Sequence, residues 1–423
     1  MNNAFVVLFF CVLVISGCAT VTRNQAPNSL FSAVAPLGFQ SDVRYANMDP
    51  SAIQSRFSDV IERRRALSIG STLDILALSG GGAGGSFGAG ALVGFSQNGK
   101  RPQFDIVTGV SAGALIAPFA FLGSAWDARL ADNFSGRHSD NFLVLRGLGI
   151  LLRPSVYQNK TLVDFVDQFV TSDMINEIAA HAMSNRLLLV ATTDLDKEET
   201  VIWDMGKIAA HGGEAARILF RDVLVASASI PGVFPPIIIP VESNGSRYDE
   251  MHVDGSVTTP FFIAPALAFV LPIDPKVLKG ANIYVLINGQ LGVIPRTTEL
   301  NTISILSRSI SAELNHMKRT ELALTSEFAQ KYGMNFKLTV IPVDYSFDGP
   351  LEFQEATSRK LFEFGVDCAK KGRLWATVEQ SITRYEAALS AVRIKKQFPD
   401  IQSIPACPMD DSSIQMPTSN QPP

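Results

Sequence analysis

The chain has 423 residues, 47% of them hydrophobic and 18% charged, with a formal net charge of −4. That composition excludes a disordered chain, and a mild negative charge without a long basic tract argues against nucleic acid as a partner. Four cysteines are too few for a disulfide-built scaffold, and no C-x-x-C, Cys/His cluster or H-E-x-x-H points to a bound metal.

Met1–Gly17 is an apolar run without a charged side chain, and it ends in Ile15-Ser16-Gly17-Cys18. Small residues before a cysteine resemble a bacterial lipobox, which implies cleavage before Cys18 and lipidation of its thiol. The run is too short and too terminal for a secure spanning helix. It departs from the pattern in having no Lys or Arg near its start, so an uncleaved anchor and an ordinary secretory signal remain alternatives. Ala19, not Asp, follows the cysteine. By resemblance to Gram-negative sorting rules, this places a lipid-anchored protein in the bacterial envelope, at the outer membrane. We divide the chain into a signal peptide (1–17), a tether and N-terminal segment (18–70), an α/β domain (71–400) and a disordered tail (401–423). Within the tether region, Phe57–Leu67 reads as a solvated amphipathic helix.

Leu73–Ser79 reads as a buried strand that runs into Gly80-Gly81-Gly82-Ala83-Gly84-Gly85 and then a helix, Phe87–Gln97. This contains G-x-G-x-x-G, so a dinucleotide site must be weighed, with Asp105 as the ribose-binding acid. Asp105 begins its strand, where such an acid should end one, and we reject the reading. Backbone N–H groups of Gly80, Gly81 and Gly82, unblocked by side chains, are instead suited to an oxyanion, with a flexible Gly-rich connection as the bland alternative.

Phe104–Leu115, FDIVTGVSAGAL, reads as strand, sharp turn and helix, with Ser111 at the turn. The G-x-S-x-G pattern there is a nucleophile elbow, in which Gly109 and Gly113 let strand and helix approach closely. The helix N-terminus sets positive potential beside Ser111. A tight βα turn with an incidental serine is the bland alternative.

Further along, Thr161–Val170 has helical spacing, and Asn185–Leu195 and Thr200–Trp203 read as strands joined by a polar turn. Gly213–Ser227 fits a helix, followed by a proline-punctuated loop to Pro236. In Met251-His252-Val253-Asp254-Gly255-Ser256 an acid precedes a turn; taken alone, Asp254 reads as structural. Ala281–Asn288 and Phe336–Pro342 read as strands. Thr302–Ala329 reads as a long helix or a helix pair, and Gln354–Glu363 and Leu374–Ile394 as helices. The alternation predicts an α/β fold, a mostly parallel central sheet flanked by helices. Cys368 and Cys407 are expected to pair in an oxidising compartment, with an exposed free thiol at Cys407 as the rival.

LALSGGGAGG, DIVTGVSAGAL, ATTDLDKEETVIWDM, ASASIPGVFPP and HVDGSV, in that order from Leu73 to Pro260, resemble the patatin-like phospholipase family. The resemblance implies a three-layer α/β hydrolase over 71–400 with a Ser-Asp dyad. Ser111 is then the nucleophile and Asp254 the base or orienting acid, with Gly80, Gly81 and Gly82 forming the oxyanion hole. Gly85, Gly109, Gly113 and Gly255 are motif glycines. It implies a serine acyl hydrolase acting on phospholipids or lysophospholipids through an acyl-enzyme, with no cofactor and no metal. Its partners would be that lipid substrate and a membrane surface reached through Cys18; protein partners are left open. Two positions depart from the family. Gly84 stands where a cation is usual, and Ser256 where Gly or Ala is usual. The altered loop keeps open a non-catalytic lipid-binding or envelope-assembly lipoprotein. His252, two residues before Asp254, shares a strand face with it, and we read it as structural.

Overall fold

The computed structural model describes residues 23–27, 30, 34–46, 55, 58, 72–137, 160–184, 186–263, 278–292, 297–347, 349–381, 383–384 and 406–410. The segments expected around Cys18 and over 385–394, and all of Phe57–Leu67 except Ser58, lie outside these. Among the described residues ten strands form one sheet. In chain order these are β1 (Ala35–Pro36), β2 (Arg44–Ala46), β3 (Asp74–Leu78), β4 (Ile106–Val110), β5 (Leu187–Asp194), β6 (Glu199–Asp204), β7 (Ile237–Ser243), β8 (Ser246–Asp254), β9 (Asn282–Ile287) and β10 (Asn335–Val340). The helices are α1 (Gly85–Gln97), α2 (Ala112–Leu122), α3 (Asp127–Phe134), α4 (Lys160–Phe169), α5 (Ser172–Met183), α6 (Met205–His211), α7 (Gly213–Ser227), α8 (Thr302–Lys331) and α9 (Glu355–Lys370). The stretch expected as a helix or helix pair is thus one helix, α8.

The central strands β3, β4, β5 and β9 are buried along nearly their whole length because helices cover both faces. Alternate residues of one strand feed opposite cores. Leu76 and Leu78 of β3 join the core under α1 and α2, with Phe87 and Phe119. Ile75 and Ala77 join the other, with Phe328 of α8. The result is three layers.

Strands β5, β4, β3, β9 and β10 run parallel in that order. Beyond β5 the sheet turns antiparallel through β8, β7 and β1, and β6 adds β2. The parallel part carries the α/β alternation read in the sequence. From the β3–β9 pair the chain winds outward both ways, to β4 and to β10. A topological switch point therefore lies between β3 and β9, where open α/β sheets form crevices.

One detail of register sets the site. Strand β6 lies along one edge of β5 from Leu189 to Asp194. The other edge is shared end to end: β4 pairs with it up to Val110↔Ala191, and β8 from Thr192↔Asp254. The C-terminal ends of β4 and β8 therefore meet head to head. A Cβ at Gly255 would lie 2.4 Å from the Ala191 carbonyl oxygen and 3.0 Å from Val110 Cγ1, so only glycine can follow Asp254 there.

Residues 406–410 depart from the expected tail. Cys407 is joined to Cys368 of α9 by a disulfide, the Met409 N–H donates to the Arg373 carbonyl at 3.1 Å, and Arg384 donates to the Ala406 and Cys407 carbonyls. A covalent bridge and a buried guanidinium order a segment whose composition alone would not.

Candidate active site

Strand β4 ends at Val110, and the chain turns at Ser111 with φ 55° and ψ −126° before α2 begins at Ala112. A positive φ is unfavourable for a residue with a side chain and persists only where the surroundings enforce it. The turn is tight because Gly113 packs onto β3: a Cβ there would lie 2.4 Å from the Leu78 carbonyl oxygen. The conformation aims the Ser111 hydroxyl across the sheet end, where it donates to Asp254 Oδ2 at 2.6 Å.

Asp254 is 2% exposed. Burial pushes its carboxyl up to about 6, against hydrogen bonds from Ser111 and Ser256 that pull it down. Its second oxygen, Oδ1, accepts the Ser256 N–H at 2.8 Å. A carboxylate poised near neutrality and bonded to a hydroxyl can take that hydroxyl's proton.

Above Ser111 lies the glycine loop. The Gly80 N–H is donated to the Pro260 carbonyl at 3.0 Å, and the Ala83 N–H to the Pro350 carbonyl at 2.9 Å. Gly80 therefore has no N–H left for an oxyanion, and of the three expected donors only Gly81 and Gly82 still fit the expectation. Both must be glycine. A Cβ at Gly81 would lie 1.6 Å from the Asn288 carbonyl oxygen. Gly82 has φ 54°, and a Cβ there would lie 2.0 Å from the Pro350 carbonyl oxygen.

Gly84 has the same neighbour: its Cβ would lie 2.2 Å from the Asn288 carbonyl oxygen. Asn288 is pinned, its N–H to Ser79 Oγ at 2.9 Å and its side-chain amide to the Ser79 carbonyl at 2.6 Å. A side chain at position 84 has no room, which accounts for the absent cation. Sequence reading missed Asn288, because nothing local marks the residue after a buried strand.

An apolar cleft of about 60 Å³ opens beside the hydroxyl, with Ala83, Leu115, Phe134, Phe165, Phe234 and Phe353 in its walls. It suits hydrocarbon next to the nucleophile.

His252 is not positioned to serve Ser111. Its Nδ1 lies 2.9 Å from Thr192 Oγ1 and its Nε2 3.3 Å from Glu250 Oε2. With Glu250 and Asp194 it forms a buried cluster. Lys197 bonds both carboxylates, at 3.0 Å and 2.8 Å, and Arg44 pairs with Glu250. Burial would raise the Glu250 carboxyl, but His252 and Arg44 outweigh it and hold it well below the carboxylate range. A metal ion would have to displace both cations, so the cluster reads as an ion-pair network tying β2 and β5 to β8. Asp105 is likewise structural: its side chain accepts the Asp74 N–H at 2.9 Å.

The glycine loop, the elbow, helix α7 and Asp254 all fall within residues 76–267, the span matched by the family model for patatin-like phospholipases. This span is a patatin-like phospholipase domain. The family carries lipid acyl hydrolase chemistry, and at that level the domain's function follows. No curated protein matches the chain. Among solved structures it is similar to the crystal structure of VipD from Legionella pneumophila, at 12% identity over 78% of this chain and 76% of that one. The TM-score is 0.30, too low for the likeness to carry any argument about the patatin-like domain.

Proposed function

We propose that the patatin-like domain hydrolyses fatty-acyl esters of phospholipids or lysophospholipids with a Ser111–Asp254 dyad. The observation that carries this reading is the 2.6 Å hydrogen bond from a strained serine to a buried carboxylate. Asp254 takes the hydroxyl proton as Ser111 Oγ attacks the ester carbonyl carbon. The oxyanion is received by the N–H groups of Gly81 and Gly82 and by the positive end of α2. Collapse breaks the ester C–O bond, and the leaving alkoxide takes the proton back from Asp254. Water then repeats the sequence on the acyl-Ser111 ester, with Asp254 again as base, and releases the fatty acid. The methylenes next to the ester carbonyl lie in the apolar cleft.

We further propose that the chain is held on a membrane by lipid at Cys18. This rests on Ile15-Ser16-Gly17-Cys18 behind an uncharged apolar run.

A fluorophosphonate probe followed by peptide mapping tests the nucleophile, and a panel of phospholipids, lysophospholipids and short p-nitrophenyl esters tests the substrate class. Labelling at Ser111 with fatty-acid release is expected. Lipid binding with neither labelling nor turnover would replace this reading by a non-catalytic lipid-binding one.

A further inference from the structure

Ser111 and Asp254 are each held by their backbone as well as by the bond between them, and both backbone contacts come from one short turn. Ser227 is the last residue of α7 and is fully buried. Its hydroxyl accepts the Ser111 N–H at 2.9 Å and donates to the Ala191 carbonyl at 2.7 Å. Two residues later, the Ser229 carbonyl accepts the Asp254 N–H at 3.0 Å. The Ser229 hydroxyl, also fully buried, donates to the Val225 carbonyl at 2.8 Å and fixes the turn to the helix end.

The Ser227 hydroxyl does what a further rung of the β4–β5 ladder would do. That ladder stops at Val110↔Ala191 because the chain turns away at Ser111. The turn would leave a donor, Ser111 N–H, and an acceptor, Ala191 C=O, facing a dry interior, where an unpaired polar group is destabilising. One hydroxyl satisfies both. It also holds the positive-φ conformation from which the Ser111 side chain reaches Asp254. It takes the Ser111 N–H out of the set of oxyanion donors as well.

We infer that Ser227 is a positioning residue of the hydrolase. With the Ser229 carbonyl it forms a clamp that sets the separation of nucleophile and base. The inference rests on the dyad reading under Proposed function. Because Ser227 bonds the Ser111 backbone and does not line the cleft, its loss acts on the attack geometry and not on lipid binding.

The test compares Ser227→Ala, Ser227→Cys and Ser227→Thr with the unaltered protein. Displacement of a nucleophile by a fraction of an ångström to 1 Å costs up to roughly 100-fold in rate. Ser227→Ala should therefore lose about 10- to 100-fold in kcat with KM unchanged. Ser227→Cys keeps the volume but bonds poorly, and should behave like Ala. Ser227→Thr keeps the hydroxyl and should recover most of the rate. Amide hydrogen exchange of the peptide carrying Ser111 gives a readout independent of turnover, and should be faster in the Ala and Cys variants alone. Unchanged kcat in folded Ser227→Ala, or unchanged exchange at Ser111, overturns the inference. A Thr variant that folds, with circular dichroism and Tm matching the unaltered protein, yet is as slow as Ala also overturns it. If the unaltered protein neither hydrolyses lipid nor labels, while exchange still responds to Ser227→Ala, the clamp stands as a backbone device and the hydrolase reading falls.

Discussion

Val110 and Asp254 end their strands on consecutive residues of β5, Ala191 and Thr192, along the same edge. That meeting places the Ser111 hydroxyl, one residue past Val110, against the Asp254 carboxylate, although the two residues are 143 apart in sequence. The site is thus a property of sheet register before it is one of side chains.

The dyad should act as a unit. Ser111→Ala and Asp254→Asn should each lower esterase activity by about 10³-fold or more, and the double variant should be barely worse than either. His252→Ala should cost stability through the buried Glu250 and Thr192 contacts, while activity per folded molecule stays within about an order of magnitude. Steady-state rates on variants checked by circular dichroism decide this. A dead His252→Ala beside an active Asp254→Asn would require a histidine base.

The Asp254 carboxyl, raised by burial from 3.8 to about 6, links stability to pH. A group raised in the folded state stabilises fully below its unfolded value, and that contribution is lost as pH rises through the folded one. Ionising Asp254 therefore costs about 3 kcal/mol, spread between roughly pH 4 and pH 6. Asp254→Asn cannot ionise. Its Tm relative to the unaltered protein should climb from pH 4 to pH 7 and then level off. The unaltered enzyme, needing the carboxylate, should lose activity below about pH 6. A Tm difference flat in pH would refute the buried, ionising base.

Restoring the family's loop cation should fail. Gly84→Lys puts a Cβ 2.2 Å from the Asn288 carbonyl oxygen, and Asn288 cannot retreat without breaking its two bonds to Ser79. We expect a loss of about 1–3 kcal/mol in denaturant unfolding, and lower activity in spite of the added charge. A stable, faster Gly84→Lys protein would show that the loop has room this packing denies.

The Cys368–Cys407 bridge spans 39 residues. In the chain-entropy model a loop of that size contributes about 4 kcal/mol. Reduction, or the Cys368→Ser/Cys407→Ser pair, should lower the denaturation midpoint accordingly. Two reactive thiols in the denatured, unreduced protein would exclude the bridge.

Local pattern in the sequence was enough for the alternation of buried strands and helices, the bounds of α7, the glycine loop and the elbow at Ser111. In those stretches a residue's environment follows from its immediate neighbours. The β7–β8 hairpin has only a weak local signal, Asn244-Gly245, both at positive φ, which form its two-residue turn. Pro235, Pro236 and Pro240 masked the alternation of β7. Helix α5 also carried a signal, its Thr171 cap on the Met174 N–H. Other features had no local signal at all. That Asp254 faces Ser111 depends on β6 filling one edge of β5, which leaves β4 and β8 to share the other. That Gly80 spends its N–H on Pro260, that Asn288 closes the space at Gly84, and that Ser227 serves Ser111 are contacts between segments distant in the chain. Periodicity fixes which face of an element is buried. Which groups meet at its ends is decided by competition among strands for edges and among buried polar groups for partners, and only the assembled sheet resolves it.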